Sequence, residues 1–240
     1  MTRKSDDRIR RDVLDEIAWE SRLAGNHIDA AVDHGVVTLS GSVDSYAKKH
    51  AAQEAARCVL GVTDVANELE VKVPEKHARA DAEVARAVRH ALEWDVMVPD
   101  KRIQSTVSEG WVTLEGTVDR YREREDAEAA VRPLAGVRGV SNHIAVAPPE
   151  IAAHDVCRTI EEVLSRRAHR EASAIGVHVR DGVVTLEGKV RSWAEKQSIL
   201  AAVAHARGIQ SVNDRIRVDP YDPGFANTLV VESSEAAPSR

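Results

Sequence analysis

Apolar positions along this chain switch between two periods, and the switch occurs three times. Ile9, Val13, Leu14 and Ile17 recur at helical spacing behind an acidic start, Asp6 and Asp7. Val84, Val88, Ala91 and Leu92 repeat the stripe, as do Val156, Ile160, Val163 and Leu164. Each set predicts an amphipathic helix with one buried face. The period then drops to two at Ile28, Ala30 and Val32, at Ile103, Ser105 and Val107, and at Ile175, Val177 and Val179, which predicts a short strand. A tight turn follows each: Asp33-His34-Gly35, Ser108-Glu109-Gly110, Arg180-Asp181-Gly182. Polar residues ending in Gly supply the positive φ of a hairpin.

The second strand is expected at 36–43 and its equivalents. Gly41, Gly116 or Gly188 interrupts it, which points to a bulge or to close approach by another backbone. A second helix opens at Asp44-Ser45, Asp119-Arg120 and Arg191-Ser192, the last with a capping-box pattern, Ser192 and Glu195. Gly61, Gly136 and Gly208 are placed to end it as C-terminal caps, and Pro133 is placed to shorten or kink the middle copy. A last alternating strand carries Val65, Leu69 and Val71, then Val140, Ile144 and Val146, then Val212, Ile216 and Val218.

The repeat is close in sequence as well as in pattern. Gly35-Val36-Val37-Thr38-Leu39-Ser40-Gly41 returns at 110–116 and at 182–188, and Gly61, Gly136 and Gly208 each follow the second glycine at one spacing. Three units follow, 5–73, 80–147 and 151–219, joined by Pro-containing linkers and followed by a flexible tail at 220–240. The fold class is α+β, an α/β sandwich repeated in tandem. Each unit runs helix-strand-strand-helix-strand, with two helices on one face of a three-stranded mixed sheet. The first two strands form an antiparallel hairpin, and the third pairs in parallel with one of them. A unit of this size buries only about 60% of its unfolded surface, so contacts between units matter.

The residues Gly35, Val37, Thr38, Leu39, Gly41, Val43, Gly61, Val65 and Asn67 resemble the pattern of the BON domain (bacterial OsmY and nodulation) family. Their counterparts are Gly110, Val112, Thr113, Leu114, Gly116, Val118, Gly136, Val140 and Asn142, and then Gly182, Val184, Thr185, Leu186, Gly188, Val190, Gly208, Val212 and Asp214. The resemblance implies the same element order and a non-catalytic role in osmotic and envelope stress, with contact to phospholipid membranes in some members. It also implies an alternative, a small-ligand or ion-sensing module, because related architectures join BON domains to modules such as one that binds potassium. Many members are exported or lipid-anchored. The start of this sequence shows neither an apolar signal segment nor a lipidation cysteine, so the expected location is cytoplasmic.

Composition narrows the partners. The chain is 43% hydrophobic and 30% charged with a formal net charge of −6, so general attraction to nucleic acid is not expected. Only the third unit has more basic than acidic residues. No apolar run is long enough to cross a membrane. Cys58 and Cys157 occupy different repeat positions, so no disulfide framework emerges, and Cys58 is expected as a buried thiol on a helical face. The ten histidines show no metal-ligand spacing, and no nucleophile–base set or phosphate loop can be assembled. No metal, cofactor or catalytic residue is therefore assigned.

Candidate interaction residues lie where the copies differ. Tyr46, Tyr121 and Trp193 lead the second helices, and packing over the helix–sheet junction is favoured over a binding platform. Asn67, Asn142 and Asp214 are expected to bond locally at the last strand. Trp19 and Trp94 align at the end of the first helix, where Arg166 replaces them. Trp94, Val96, Met97 and Val98 form an apolar loop, and Arg166, Arg167 and Arg170 form a basic one. Together they are the candidate patch for an anionic phospholipid or a protein partner. The plain alternatives are that Trp94 and Val98 close the core and that the arginines complement a helix dipole. Oligomeric state is left open.

Overall fold

A computed structural model describes residues 4–147, 156, 158–160, 175–204, 206 and 208–221. The first unit runs α1 (Asp6–Trp19), β1 (His27–Asp33), β2 (Val36–Val43), α2 (Tyr46–Cys58), β3 (Asp64–Asn67) and β4 (Glu70–Val71). The second runs α3 (Asp81–Trp94), β5 (Ile103–Ser108), β6 (Trp111–Val118), α4 (Tyr121–Val131) and β7 (Gly139–Val146). In the third, Val156 and residues 158–160 are helical, followed by β8 (Ile175–Arg180), β9 (Val183–Val190), α5 (Trp193–Ala204) and β10 (Ser211–Val218).

Each sheet is built on the hairpin's second strand. β2 pairs antiparallel with β1, from His27↔Ser42 to Asp33↔Val36, and parallel with β3 and β4. β6 and β9 hold the same central place. The two-residue turns have positive φ at both positions, for example His34 at 50° and Gly35 at 85°, as a type I′ hairpin requires. The hairpin register is unbroken at Gly41 and Gly116, so these glycines mark close approach and not a bulge. Gly116 has φ 142°, and a Cβ there would collide with the carbonyl oxygen of Arg102, the residue that leads into the facing strand β5. Gly41 meets His27 in the same way.

Helix termini follow local hydrogen bonding. Ser45 Oγ accepts from Lys48 N (3.4 Å), and Ser192 Oγ accepts from Glu195 N (3.2 Å). The Glu195 carboxylate reaches back to Arg191 N (2.9 Å), one residue short of a full box. The sequence also hides a tether between α1 and the hairpin. Asp6 accepts from the backbone N–H groups of His34 (2.9 Å) and Gly35 (3.1 Å), and Asp81 does the same for Glu109 (2.8 Å) and Gly110 (2.9 Å).

Two expectations are corrected. The second helices end at Cys58, Val131 and Ala204, several residues before Gly61, Gly136 and Gly208, so these glycines are not the caps. They turn the chain beneath the first helix: a Cβ on Gly61 would meet Ile9 Cδ1 at 2.9 Å, and one on Gly136 would meet Val84 Cγ2 at 2.8 Å. Pro133 does shorten its helix, which ends at Val131. Cys58 is exposed, because it lies at the helix end beyond the buried stripe Ala51, Ala52, Ala55 and Ala56.

The units close on one another through their second helices. Tyr46 of the first unit packs against the core of the second. Tyr121 of the second packs against the cluster that joins the first and third units. Trp193 of the third lies under the Arg57 guanidinium of the first, 4.4 Å from the ring centroid. Tyr46 and Tyr121 therefore reach the cores of other units, whereas Trp193 is buried in the cluster that its own unit forms with the first. The described segments that leave the first and third units pack over glycine turns. Arg79, on the connection from the first unit, lies over Gly136. Tyr221, leaving the third unit, lies over Gly61, and its hydroxyl accepts from Lys4 N (2.9 Å). The first unit thus packs against both the second and the third, and the second reaches the cluster that the other two share.

The backbone contact at Gly116 sets a stability test. Gly116→Val should lower the unfolding free energy by about 2–4 kcal/mol in urea titration. Gly25→Ala, at positive φ but with open space around it, should cost only about 1 kcal/mol. Equal effects would contradict the role given to the facing strand.

Candidate functional site

The first-helix ends carry the most exposed apolar side chains. α3 buries Val84, Val88 and Leu92 on one stripe. Trp94 follows Leu92 by two residues, roughly 200° round the helix, so its indole faces away from the core. It is 78% exposed and stacks on His90 with ring centroids 5.2 Å apart. The same offset from Ile17 leaves Trp19 86% exposed. Past α3 the chain turns on Asp95, whose Oδ1 accepts from Met97 N (2.9 Å) and whose carbonyl accepts from Val98 N (3.1 Å). That turn points Val96 outward at 95% exposure, leaves Met97 exposed and drives Val98 into the core at 6%.

The apolar candidate loop is therefore split. Trp94, Val96 and Met97 form a surface, while Val98 closes the core as Leu23 does at the equivalent place in the first unit. Trp19 belongs to the surface by the repeat register. These equivalent helix ends, bearing Trp19 and Trp94, form the tryptophan rim of their units. Beside Trp19, the carboxyl of Glu20 is held down to about 2 by hydrogen bonds from the Arg22 side chain and backbone, so it stays ionised across ordinary pH as one half of an ion pair with Arg22. Arg166, Arg167 and Arg170 lie outside the described residues.

The repeated Asn or Asp ties the last strand to the second helix. Asn67 donates to the Lys49 carbonyl (2.8 Å) and accepts from Leu69 N (3.3 Å). Asn142 does the same with Arg124 and Ile144. In the third unit Asp214 bonds the Lys196 ammonium (2.8 Å), which also donates to the Ile216 carbonyl (2.7 Å) and lies 4.9 Å from the Trp193 ring centroid. These are structural ties, as the sequence led us to expect. Gly35, Gly110 and Gly182 serve the hairpin turns, and Gly188, with φ 148°, matches Gly41 and Gly116. Among the described residues, no group of three or more His, Cys, Asp or Glu could hold a metal ion, and no helix is long and apolar enough to cross a membrane.

Polar residues missed by sequence reasoning sit at the helix seams. His50 is half-buried, and burial pushes its pKa below 6.5, aided by the cationic Arg132 of the neighbouring unit and by Arg57, while Glu54 and Glu128 oppose the shift. Glu125, at the equivalent place in α4, is pushed above the usual carboxylate range by burial. Since the unfolded chain does not share the depression at His50, it takes up the proton first. This contribution to stability is complete above pH 6.5 and is lost as pH falls through the folded value. His50→Gln, with the residue that the third unit carries there (Gln197), should therefore lose less Tm than wild type between pH 7 and 5. Parallel Tm profiles would show that His50 does not report on the seam.

The BON domain pattern matches residues 5–73, 80–148 and 153–220. "Osmotically-inducible protein Y" of Escherichia coli (strain K12) is 31% identical over 126 residues, 51% of this chain and 63% of that protein. The chain thus spans less than two thirds of that relative. "Uncharacterized protein in gshII 5'region" of Anaplasma centrale is 30% identical over 120 residues, 47% of this chain and 78% of that protein. A solved structure of CdsD, a structural protein of the Type III secretion system of Chlamydia trachomatis, is 13% identical over 89% of this chain and 93% of that one, with a TM-score of 0.26. That superposition is too poor to carry any argument. The family pattern accounts for all three repeats, their shared strand order and their recurring glycines: the chain belongs to the BON domain family, in three tandem copies.

Proposed function

We propose that this chain is a non-catalytic, osmotic-stress-associated protein that settles on an anionic phospholipid surface by the rim bearing Trp19 and Trp94. The observation that carries the reading is the exposure of two aligned indoles with Val96 and Met97 beside them. Glycine turns, apolar stripes and Asn ties are accounted for by folding, whereas these side chains lie outside the core and stay largely exposed. Indole suits the boundary between headgroup and acyl chain, where its apolar body leaves water and its N–H stays near polar groups. The osmotic association follows the name of the Escherichia coli relative. The proposed location is the cytoplasmic face of a membrane. Arg166, Arg167 and Arg170 would add attraction to anionic headgroups, each worth about 1 kcal/mol near the surface.

Vesicle co-sedimentation tests this. Wild type should bind phosphatidylglycerol-containing vesicles more tightly than phosphatidylcholine vesicles, and less so as salt rises. Trp19→Ala/Trp94→Ala should cut partitioning roughly tenfold or more, since burying one large apolar side chain contributes about 1.5–3 kcal/mol. Trp94→Ala/Met97→Ser should have a smaller effect in the same direction. Arg166→Ser/Arg167→Ser/Arg170→Ser should flatten the salt dependence. Absence of wild-type binding at low salt, with the fold intact by circular dichroism, would rule out the membrane reading.

A further inference from the structure

Equivalent positions in the three units act as internal controls for one another, and one set of them differs. Between the first and second units lies a groove of about 500 Å³ lined by Lys49, Lys72 and Glu70 on one side and by Glu109, Trp111 and Arg138 on the other. That volume lies in the range of small-molecule sites.

Its aromatic element is unique to this seam. Trp111 aligns with Val36 and Val183 and is 51% exposed. Its indole is fixed, because Nε1 donates to Ser141 Oγ (2.8 Å) and the six-membered ring lies against Gly139, the residue opposite it in the β6–β7 register. A Cβ on residue 139 would collide with Trp111 Cζ3. The other copies carry Asp64 and Ser211 in place of Gly139, and Ala66 and Asn213 in place of Ser141. Three positions have therefore changed together to seat one exposed indole. Filling the space above a strand glycine would explain the contact with Gly139, but it leaves the cations around the groove unexplained.

Those cations are also distinctive. At the position of Lys49, Arg124 bonds the Asn142 carbonyl (3.1 Å) and Lys196 is committed to Asp214 and Ile216. Lys49 is half-buried, yet its ammonium has no hydrogen-bond or ion-pair partner among the described residues. The Arg138 guanidinium, where the other units have Thr63 and Gln210, has none either. Lys72 pairs with Glu70 at 3.0 Å, and Glu109 is the other carboxylate lining the groove, so its cations outnumber its carboxylates.

A fixed indole beside two uncommitted cations matches a planar ring carrying an anionic group. We propose that this groove binds a small planar anion of the nucleoside monophosphate class, with its base stacked on Trp111 and its phosphate held by Lys49 and Arg138. The ligand would bridge the first and second units. Nothing in this proposal depends on membrane binding, so either can fail alone.

The test is titration of the full-length protein with AMP, followed by the Trp111 indole N–H resonance and assigned with Trp111→Val. AMP at millimolar concentration should shift that resonance saturably, and adenosine or inorganic phosphate should each bind at least about tenfold more weakly. Lys49→Met and Arg138→Thr should each weaken AMP binding by about tenfold, the scale of one charge-assisted hydrogen bond. Trp111→Val and Arg138→Thr introduce residues that the first unit already carries, which favours retention of the fold, and circular dichroism checks it. The proposal is overturned if AMP leaves the resonance unmoved, if phosphate alone binds as well as AMP, or if Trp111→Val binds AMP like wild type.

Discussion

Each unit is too small to enclose its second helix with its own sheet, and the packing between units follows from that shortage. α2 buries Ala51, Ala52, Ala55 and Ala56, while its leading residue, Tyr46, reaches the next unit's core. α5 carries the idea further, with the run Ile199-Leu200-Ala201-Ala202-Val203-Ala204 apolar around much of the helix. The first and third units consequently share one continuous apolar cluster. A residue such as Trp193, with 8% exposure, contributes to the stability of two units at once. The cores are therefore coupled, as expected when nearest-neighbour interfaces carry part of the stability.

The seams also show how a repeat diverges without losing its fold. The third unit has Asp214 where the others have Asn, and Lys196 supplies the compensating charge from the facing helix. Its neighbour across the seam, Arg57, adds a second cation over the Trp193 ring. Burying a charge is costly unless it is paired and hydrogen-bonded, and Lys196 meets that condition with a carboxylate, a carbonyl and an aromatic face. Such local exchanges let the outer features, including the Trp rim and the Trp111 groove, vary while β2, β6 and β9 keep one register.

Much of a single unit was legible in the sequence because local rules govern it. Gly35 and Gly41 announced the turn and the close backbone approach, and the period switch gave helices and strands in order. Pro133 marked an early helix end. Relations between units were not legible, since Tyr46, Tyr121 and Trp193 have the same spacing whether they cover their own sheet or a neighbour's. His50 and Arg57 carried no signal in the sequence, since what covers them belongs to another unit. Gly61 was misread because a glycine near a helix end suits a cap, whereas the contact with Ile9 is long-range. The Trp94–Val98 loop could be divided only in part. Helical phase turns Trp94 outward, but the turn that buries Val98 depends on bonds to Asp95.

Packing of the three units into one body is the claim on which the proposed tryptophan surface and the seam groove both depend. It rests on contacts at two distant places, Trp193 with Arg57 and Tyr221 with Lys4. Backbone ¹⁵N relaxation of the full-length protein at dilute concentration tests it most directly. The account predicts one rotational correlation time for the structured residues of all three units, that of a single compact body. Separate, shorter correlation times for the three units would contradict it, because three domains tumbling on linkers could maintain neither the proposed tryptophan surface nor a fixed groove between the first two.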